Sequence, residues 1–358
     1  MHIAWNHVDC IEGIRIHQLV MVDCPVTNIC TYGFMACNSN HNVLFVDCLL
    51  FRQKTKKYYI MKHVEPSVSI IQQEPGLVGA LKMIEKAGRI CYASTAKENS
   101  YETFFERCKS TGHGRPLEFG TVYLTIPFFN CTYLIRDKFL GSPYCRITHD
   151  DRFVYVTTNM RFLLQGSSPD WDTAIRDKYK DSYLEELSPY IDNSPTEHHV
   201  KRVTILWDVI ARGIADEFRT HTTISSLMES TRYCLYSSKK FDGQIKYAVT
   251  EWFRNQENNE YKEEYLAELR NDEAKYIHFV NDLGMKAEQA RFKLGFNYAT
   301  KFIQCAFIDT WNDFFSQRVT PHAHEDARYI ANMAVKEWDK AIDEGMDIPK
   351  LIINYNRQ

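Results

Sequence analysis

The segment over residues 216–233, which reads DEFRTHTTISSLMESTRY, concentrates hydroxyl, imidazole and guanidinium side chains. Ser230 and Arg232, in a Ser-x-Arg-Tyr arrangement at its end, can give a phosphate one hydroxyl and a rigid fork of N–H donors. His221 and the threonines around it can contact a second polar ligand. A segment rich in Ser and Thr is, taken alone, typical of a solvated turn. With its cations it predicts a site for an anionic ligand, and a nucleotide fits that chemistry.

Residues 229–233 (ESTRY) resemble the end of the sequence signature of the flavin-dependent thymidylate synthases. In that family an Arg-His-Arg triplet precedes Ser-x-Arg-Tyr by seven or eight residues. The ungapped match places the triplet on residues 220–222, where the His is kept and threonines replace both arginines. Arg219 lies one position upstream and replaces a lost cation only if the backbone shifts, because neighbouring side chains of a strand point to opposite faces.

Three further stretches resemble the same family in the same order. Residues 112–119 (GHGRPLEF) resemble its Gly-His-x-x-x-x-Glu-His element, with Phe119 in place of the final His. Residues 289–291 (QAR) resemble the segment that directs an Arg at the nucleotide, although the usual Leu-Pro beyond it reads Leu-Gly here. Residues 311–318 (WNDFFSQR) resemble the C-terminal helix that carries the catalytic Arg. The resemblance therefore covers most of the chain, from about residue 77 to residue 338.

The resemblance implies an enzyme that methylates dUMP to dTMP. Its carbon donor is methylenetetrahydrofolate, and FAD and NADPH supply the reducing equivalents. It also implies a homotetramer whose active sites take residues from neighbouring chains. No covalent protein nucleophile is required, and none of the later cysteines has an activating His or Arg pair near it in the sequence. These cysteines, interpreted as packing residues, are Cys91, Cys108, Cys131, Cys145, Cys234 and Cys305.

The resemblance assigns roles to individual side chains. Arg318 is predicted to be catalytic, since a guanidinium that stays charged beside the uracil ring can stabilise a developing enolate. Asp313 stands where Asn or His is expected, and an acid there would tend to repel the phosphates of a flavin nucleotide. The predicted substrate-binding residues are Glu217, Arg219, Glu229, Ser230, Thr231, Arg232 and Arg291. The predicted cofactor-binding residues are His113, Arg115, Thr220, His221, Thr222 and Asp313.

Two other functions stay open on these residues. One is a relative that modifies a pyrimidine nucleotide in another way, as the replaced arginines and Asp313 suggest. The other is a degenerate paralogue that keeps the oligomeric scaffold and a nucleotide pocket but has lost the flavin. For Arg318 the simpler interpretation is a surface residue of a helix near Asp313 or Asp326, and for His113 and His221 it is a structural role.

The composition is that of a globular protein with small ligands. The 358 residues are 44% apolar and 25% charged, and the formal net charge is −3. This balance lacks the basic excess that binds nucleic-acid backbones, and no apolar run is long enough to span a bilayer. We therefore expect no nucleic-acid or membrane partner, and a cytoplasmic protein with reduced cysteines. Residues 322–326 (HAHED) are not expected to bind metal, because the two histidines of His-x-His lie on opposite sides of a helix.

The first 60 residues differ from the rest and hold five of the eleven cysteines without a repeated spacing. We interpret this segment as a mispredicted start upstream of Met61. A genuine extra hairpin or a disordered arm is the alternative, and the irregular spacing makes a zinc module a weaker one. Residues 61–358 are predicted to form one flavin-dependent thymidylate synthase-like domain, with a polar insertion at about 127–200.

Hydrophobic periodicity predicts an α+β fold, with a mostly antiparallel sheet flanked by helices. Apolar residues at helical spacing predict helices over residues 77–91, 101–109, 172–187, 255–294, 299–315 and 323–341. Alternating or β-branched stretches predict strands over residues 121–126, 153–157 and 203–210.

Overall fold

The computed structural model describes residues 61–130, 139, 141–165 and 183–356, and the backbone of three strands nearer the N-terminus. Two compact units divide the chain, Met1–Ile60 and Met61–Gln358. In the first unit, β1 (Arg15–Asp23), β2 (Cys30–Cys37) and β3 (Val43–Cys48) form an antiparallel sheet in that order. The predicted packing residue Cys131 lies outside the described residues, as do Cys10 and Cys24 of the first 60 residues and residues 172–182 of one predicted helix.

The remaining strands and helices belong to the second unit. The strands are β4 (Lys62–Val64), β5 (Ser67–Ile71), β6 (Thr121–Pro127), β7 (Arg146–His149), β8 (Phe153–Asn159), β9 (Arg202–Ala211), β10 (Ser225–Met228), β11 (Lys246–Ala248) and β12 (Ala299–Phe307). The helices are α1 (Gly76–Cys91), α2 (Tyr101–Thr111), α3 (Gly114–Leu117), α4 (Met160–Gln165), α5 (Tyr183–Leu187), α6 (Arg212–Phe218), α7 (Glu251–Asn255), α8 (Asn259–Asn281), α9 (Ala287–Ala290), α10 (Ile308–Arg318) and α11 (Glu325–Asp343).

The centre of this unit is an antiparallel sheet in the order β10-β12-β9-β5. Side chains of β12 alternate between the two faces, as the pleat of a strand requires. Phe302 and Ala306 pack in one apolar cluster with α6, α10 and α11, whereas Ile303 and Cys305 pack in another with α1. Helices therefore cover both faces, and the predicted α+β class with mostly antiparallel strands is confirmed. The short pair of β4 and β11 is parallel.

A second antiparallel sheet, in the order β6-β8-β7, packs on α1, α2 and α4. Leu124 of β6, Val156 of β8 and Leu163 of α4 are fully buried in that cluster. Strands β7 and β8 and helix α4 lie within the region predicted to be a polar insertion. This region therefore contributes to the hydrophobic core as well as to the loops around it.

One helix prediction is wrong over half of its length. Residues 299–315 were expected to be helical throughout, but Ala299–Phe307 is the strand β12, and the helix α10 begins only at Ile308. Strand β12 lies between β9 and β10 and is covered on both faces, so it needs apolar residues on both sides. A short run of this kind does not distinguish a buried strand from a buried helix.

The segment rich in hydroxyls also differs from expectation. Arg219 is the C-cap of α6, and a turn leads from it to the start of β10 at Ser225. The argument that Arg219 and Thr220 point to opposite faces of a strand is therefore wrong, because neither residue lies on a strand.

Candidate active site

Arg318 is the last residue of α10, and it is held between that helix and the end of α6. Its Nε donates a hydrogen bond to His221 Nε2 at 3.1 Å, and its guanidinium forms an ion pair with Glu217. The side chain of Arg318 is only 15% exposed, so the interpretation as an ordinary surface residue is wrong. Because His221 accepts at Nε2, its ring proton is placed on Nδ1. The His221 ring also packs on Phe314, with the centroids 4.8 Å apart, which further fixes the cluster.

The other predicted residues at this end of β10 are more exposed. Arg219 pairs with Asp216 at 3.2 Å, and Thr220 Oγ1 donates to the carbonyl of Glu217 at 2.7 Å. Thr222 is exposed. Asp313 lies on α10 and accepts a hydrogen bond from Gln317 Nε2 at 2.7 Å. Arg318 and Arg219 are thus two cations at this end, and each contacts a carboxylate.

A second group surrounds a cavity of about 450 Å³ beyond the other end of β10. His113, Arg115 and Ser230 all line this cavity, together with the rings of Tyr92 and Tyr233. Tyr92 Oη lies 3.3 Å from His113 Nδ1, and the two tyrosine rings lie 5.5 Å apart. The backbone N–H of Ser230 donates to the carbonyl of Cys91 at 3.0 Å, which ties this part of the chain to α1. The predicted His113 and Ser230 are therefore neighbours in space.

A buried ion pair beneath this cavity was not foreseen in the sequence. Arg161 of α4 pairs with Glu118, and their side chains are only 10% and 5% exposed. Arg115 contacts the same carboxylate at 3.5 Å from its more exposed position. A Cβ on Gly114 would meet Arg161 Nε at 2.8 Å, so the Gly beside His113 makes room for the guanidinium. Glu118 belongs to a motif found in the sequence, so a role for it could have been predicted. Nothing in the sequence around Arg161 indicated that it would be the partner of Glu118.

Arg232 and Arg291 lie on the outer side of the same region. Arg232 Nε is 3.5 Å from Glu288 of α9, and its backbone N–H donates to Ser230 Oγ at 3.3 Å. Arg291 follows α9 at the start of a single turn of 3₁₀ helix, with its guanidinium 5.6 Å from the ring of Phe292. Arg232 therefore contacts α9 and Arg291 directly follows it, and the side chain of Arg232 is 57% exposed. Thr231, between Ser230 and Arg232 in the chain, is partly buried.

Glu229 is separated from the rest of its motif. It lines a different cavity from Ser230, and its carboxylate accepts a hydrogen bond from Tyr236 Oη at 2.8 Å. Burial raises the pKa of the Glu229 carboxyl, while the Tyr236 hydrogen bond acts in the opposite direction. The structure therefore does not bring Glu229 into the cavity that Ser230 shares with His113.

Strand β10 divides the predicted residues into two groups. Glu217 and His221, which Arg318 contacts, precede its first residue, Ser225, whereas Ser230 follows its last residue, Met228. A strand of this length spans on the order of 13 Å at about 3.3 Å per residue. Within one chain, Arg318 and Ser230 are therefore at opposite ends of the strand.

Five of the six later cysteines lie in the described part of the chain, where their burial suits the packing role predicted for them. Cys108, Cys145, Cys234 and Cys305 are buried and Cys91 is partly buried, all as free thiols. Burial raises the pKa of the Cys91, Cys108 and Cys145 thiols to about 11, and that of Cys234 to about 12. A protonated thiol is a poor nucleophile, so none of these four is poised for covalent catalysis at neutral pH.

Comparison with known proteins identifies the family. Residues 147–342 match the family model described as thymidylate synthase complementing protein. This match covers more than half of the chain, and the chain belongs to that family. It includes β8, β9, β10, β12, α10 and most of α11, and so contains both Ser230 and Arg318. No curated protein sequence matches the chain.

Two solved structures are similar to this chain. One is thymidylate synthase X from Helicobacter pylori with FAD and dUMP, at 11% identity and a TM-score of 0.33, covering 79% of this chain and 100% of that one. The other is a flavin-dependent thymidylate synthase from Helicobacter pylori complexed with FAD and dUMP. It is 12% identical, with a TM-score of 0.34, and covers 76% of this chain and 93% of that one.

Two further properties concern the described part of the chain alone. Its helices are too short or too polar to cross a bilayer. It also contains no group of three or more His, Cys, Asp or Glu side chains arranged to hold a metal ion.

Proposed function

We propose that this protein methylates dUMP to dTMP, with methylenetetrahydrofolate as the carbon donor and with FAD and NADPH as the source of reducing equivalents. The observation that carries the proposal is the position of Arg318 in the structure. Its guanidinium is fixed by Glu217 and His221 at the end of α10, the helix expected to carry the catalytic Arg. Membership of the family supplies the reaction class.

Arg318 would act through its fixed positive charge. A guanidinium held by two partners cannot rotate freely, so it presents its remaining N–H donors in a set direction. Beside a uracil carbonyl, these donors stabilise the negative charge that develops on oxygen as the ring carbon becomes nucleophilic. Glu217 and His221 are positioning residues in this account, since they orient Arg318.

Ser230, Arg232 and Arg291 would bind the nucleotide. The Ser230 hydroxyl accepts from the backbone of Arg232, which leaves its own proton available for a phosphate oxygen. The guanidinium of Arg232 contacts Glu288 of α9, and Arg291 directly follows that helix. Together these side chains can neutralise a phosphate and still allow the nucleotide to exchange.

The residues around His113 fit a flavin nucleotide, whereas those around His221 fit it less well. The cavity that His113 lines is also lined by the aromatic rings of Tyr92 and Tyr233. Arg115 adds an exposed positive charge to the same lining. When bound, FAD would supply the two-electron reduction. Thr220 and Thr222 can give hydrogen bonds to a phosphate but no charge, and each lost charge-assisted hydrogen bond costs about 1.5–3 kcal/mol. FAD is therefore expected to bind weakly.

A homotetramer would bring the two groups together. Arg318 and Ser230 lie at opposite ends of β10, so a compact ligand such as dUMP that contacts both would take one of them from a second chain. Apolar surface near Arg291 supports such an assembly, because Phe292 is 82% exposed, Phe296 is 78% exposed and Tyr233 is 59% exposed. Burying these rings against another copy of the chain would remove them from water.

The second candidate is a relative that binds a pyrimidine nucleotide without flavin chemistry. The observation in its favour is the exposed, uncharged pair Thr220 and Thr222 beside an Arg318 that already has a carboxylate partner. This candidate predicts dUMP binding without FAD binding. The two proposals therefore differ in a property that can be measured without turnover.

Flavin binding separates the two candidates. We would titrate FAD into the full-length protein and into the Thr220→Arg/Thr222→Arg variant, and follow the flavin absorption band. The proposed synthase predicts a saturable shift in the parent and at least tenfold tighter binding in the variant. Absence of a shift in the parent, together with dUMP binding that Arg232→Ala weakens, would instead establish the flavin-free relative. Arg270→Ala, which removes an exposed arginine on α8, is the matched control.

A further inference from the structure

The last turn of α1 separates the cavity of Ser230 from a second, larger one. Gly88 and Cys91 line the first cavity, whereas Arg89 and Ile90 line the second, which has a volume of about 640 Å³. That volume lies within the range of small-molecule sites. The second cavity is bounded by α1 and the loop that follows it, by β9 and β12, and by the segment over residues 236–246. None of the side chains given a role in the proposed function lines this cavity.

The lining of the second cavity is strongly basic. Seven of its side chains are Lys or Arg and three are Asp or Glu, although the whole chain has a formal net charge of −3. Three of the cations are already paired, Lys82 with Glu74, Arg89 with Glu85, and Lys301 with Asp208. Lys86, Lys97 and Lys246 are exposed at the rim, and no carboxylate in the described part of the chain pairs with them. Such a local excess attracts anions.

Two hydroxyls in the cavity lack partners among the described residues. Thr300 is only 2% exposed, and its Oγ1 has no hydrogen-bond partner there; the same holds for the buried Oγ of Ser94. Both residues line the cavity. A buried hydroxyl left without a partner is unfavourable, and natural folds rarely leave two in one place. A polar ligand atom beside each hydroxyl would satisfy them.

The backbone around the cavity is strained in three places. Ala93, Asn99 and Val209 have φ of 44°, 53° and 56°, and all three line the cavity. Non-glycine residues seldom adopt positive φ, and such strain is found preferentially at binding sites. At Val209 the strain belongs to a β-bulge. Ile210 pairs with Thr300 and Trp207 with Phe302, so Asp208 and Val209 oppose Lys301 alone.

We propose that this cavity binds a nucleoside phosphate, at a site separate from the one that Ser230 lines. The rim cations Lys86, Lys97 and Lys246 would hold the phosphates. Aromatic residues of the lining, Tyr101, Tyr236 and Phe241, offer surface for a flat base. The hydroxyls of Ser94 and Thr300 would hydrogen-bond to polar atoms of the base or sugar.

The site is tested by calorimetric titration of the full-length protein with ADP, GDP, CDP and dTDP. We expect at least one of these to bind with a Kd below about 1 mM and to bind more weakly as salt is added. The Lys86→Glu/Lys246→Glu variant should weaken this binding tenfold or more, because it reverses two rim charges. Thr300→Val keeps the shape of the side chain and should weaken binding severalfold. Lys336→Glu reverses an exposed charge on α11 and should leave binding unchanged.

Three results would overturn the proposal. The first is that none of the four nucleotides binds. The second is binding that survives both cavity variants, or that is lost in Ser230→Ala instead, since either places the ligand elsewhere. The third is a change in sedimentation for Lys86→Glu/Lys246→Glu, which would show that a second copy of the chain covers the cavity. Thermal melts of each variant confirm folding, and the conservative Thr300→Val keeps the test informative if charge reversal destabilises the protein. Failure here would leave the proposed synthase untouched, because Arg318 and Ser230 lie outside this cavity.

Discussion

Arg318 shows how a single side chain acquires a role from its surroundings. The same residue on an exposed helix would have no special property, since surface ion pairs contribute little. Here the guanidinium is largely buried and contacts Glu217, near the end of α6, and His221, in the turn that follows α6. This arrangement turns a flexible side chain into a preorganised donor. The catalytic role of Arg318 stays a prediction, and its burial and partners are what support it.

Val209 allows the strain at the bulge to be measured. Val209→Gly and Val209→Ala both remove the branched side chain, but only Gly adopts the observed φ of 56° without a steric cost. The free energy of unfolding of the Gly variant should therefore exceed that of the Ala variant by about 1 kcal/mol. Urea denaturation of the two proteins gives this difference. Equal stability, or a more stable Ala variant, would show that the positive φ at residue 209 carries no strain.

At the scale of elements, α1, α2, α11, β6, β8 and β9 were predicted to within a few residues, whereas the helix predicted over residues 255–294 is divided among α7, α8 and α9. The apolar spacing of α1 and the alternation of β6 follow directly from the faces that they bury. Strand β12 was not predictable in this way, because Phe302 and Ile303 are buried on opposite faces of the sheet. The strand therefore lacks the alternation of apolar and polar residues that indicates a strand in a sequence. The pair of Arg161 with Glu118 was missed for another reason. It joins α4 to the end of α3, and only tertiary structure brings these together.

Helix α8 is joined to the segment just before β11 through Glu273. The backbone N–H of Ile245 donates to its carboxylate at 2.8 Å, and burial raises the pKa of Glu273 above its usual value of 4.5. Well below pH 4.5, the Glu273 carboxyl is protonated in both the folded and the unfolded chain. As the pH rises from there towards the folded pKa, only the folded state keeps the proton, so the contribution of Glu273 to the free energy of unfolding declines.

Replacing this carboxyl removes the pH dependence that it causes. The amide oxygen of Glu273→Gln can still accept from Ile245, but the side chain does not titrate. We expect the stability of the parent relative to this variant to fall as the pH is raised from 4 to 7, measured by urea denaturation. Glu264→Gln, on the exposed side of the same helix, should show no such trend. A constant difference across this pH range would contradict the assignment.

At the scale of the whole molecule, the separation of the two groups along β10 is the main constraint on function. It predicts that Arg318 of one chain serves the nucleotide held by Ser230 and Arg232 of another. An Arg318→Gln chain and an Arg232→Ala chain should each be nearly inactive alone. Mixed oligomers of the two should regain up to about a quarter of the parent activity, because random assortment leaves some sites with both arginines. If every site were built within one chain, co-expression of the variants would restore nothing.

The family of this protein could be predicted from four short stretches in order, but the arrangement of its site could not. Sequence order placed Glu229 beside Ser230, whereas the structure directs them into different cavities. It also gave no sign that β10 would hold His221 and Ser230 apart. Motif spacing reports neighbours along the chain, while the distance between functional groups depends on how the elements between them fold.

The most direct test is the formation of dTMP. Full-length protein would be incubated with dUMP, methylenetetrahydrofolate, FAD and NADPH, and the nucleotides separated by chromatography. We predict enzyme-dependent dTMP, with turnover reduced by about 10²–10³-fold in Arg318→Gln, as expected when one preorganised donor is lost, and nearly unchanged in Arg270→Gln. Absence of dTMP from a folded protein that binds both dUMP and FAD would contradict the proposed reaction, and full activity of Arg318→Gln would contradict the role of this residue.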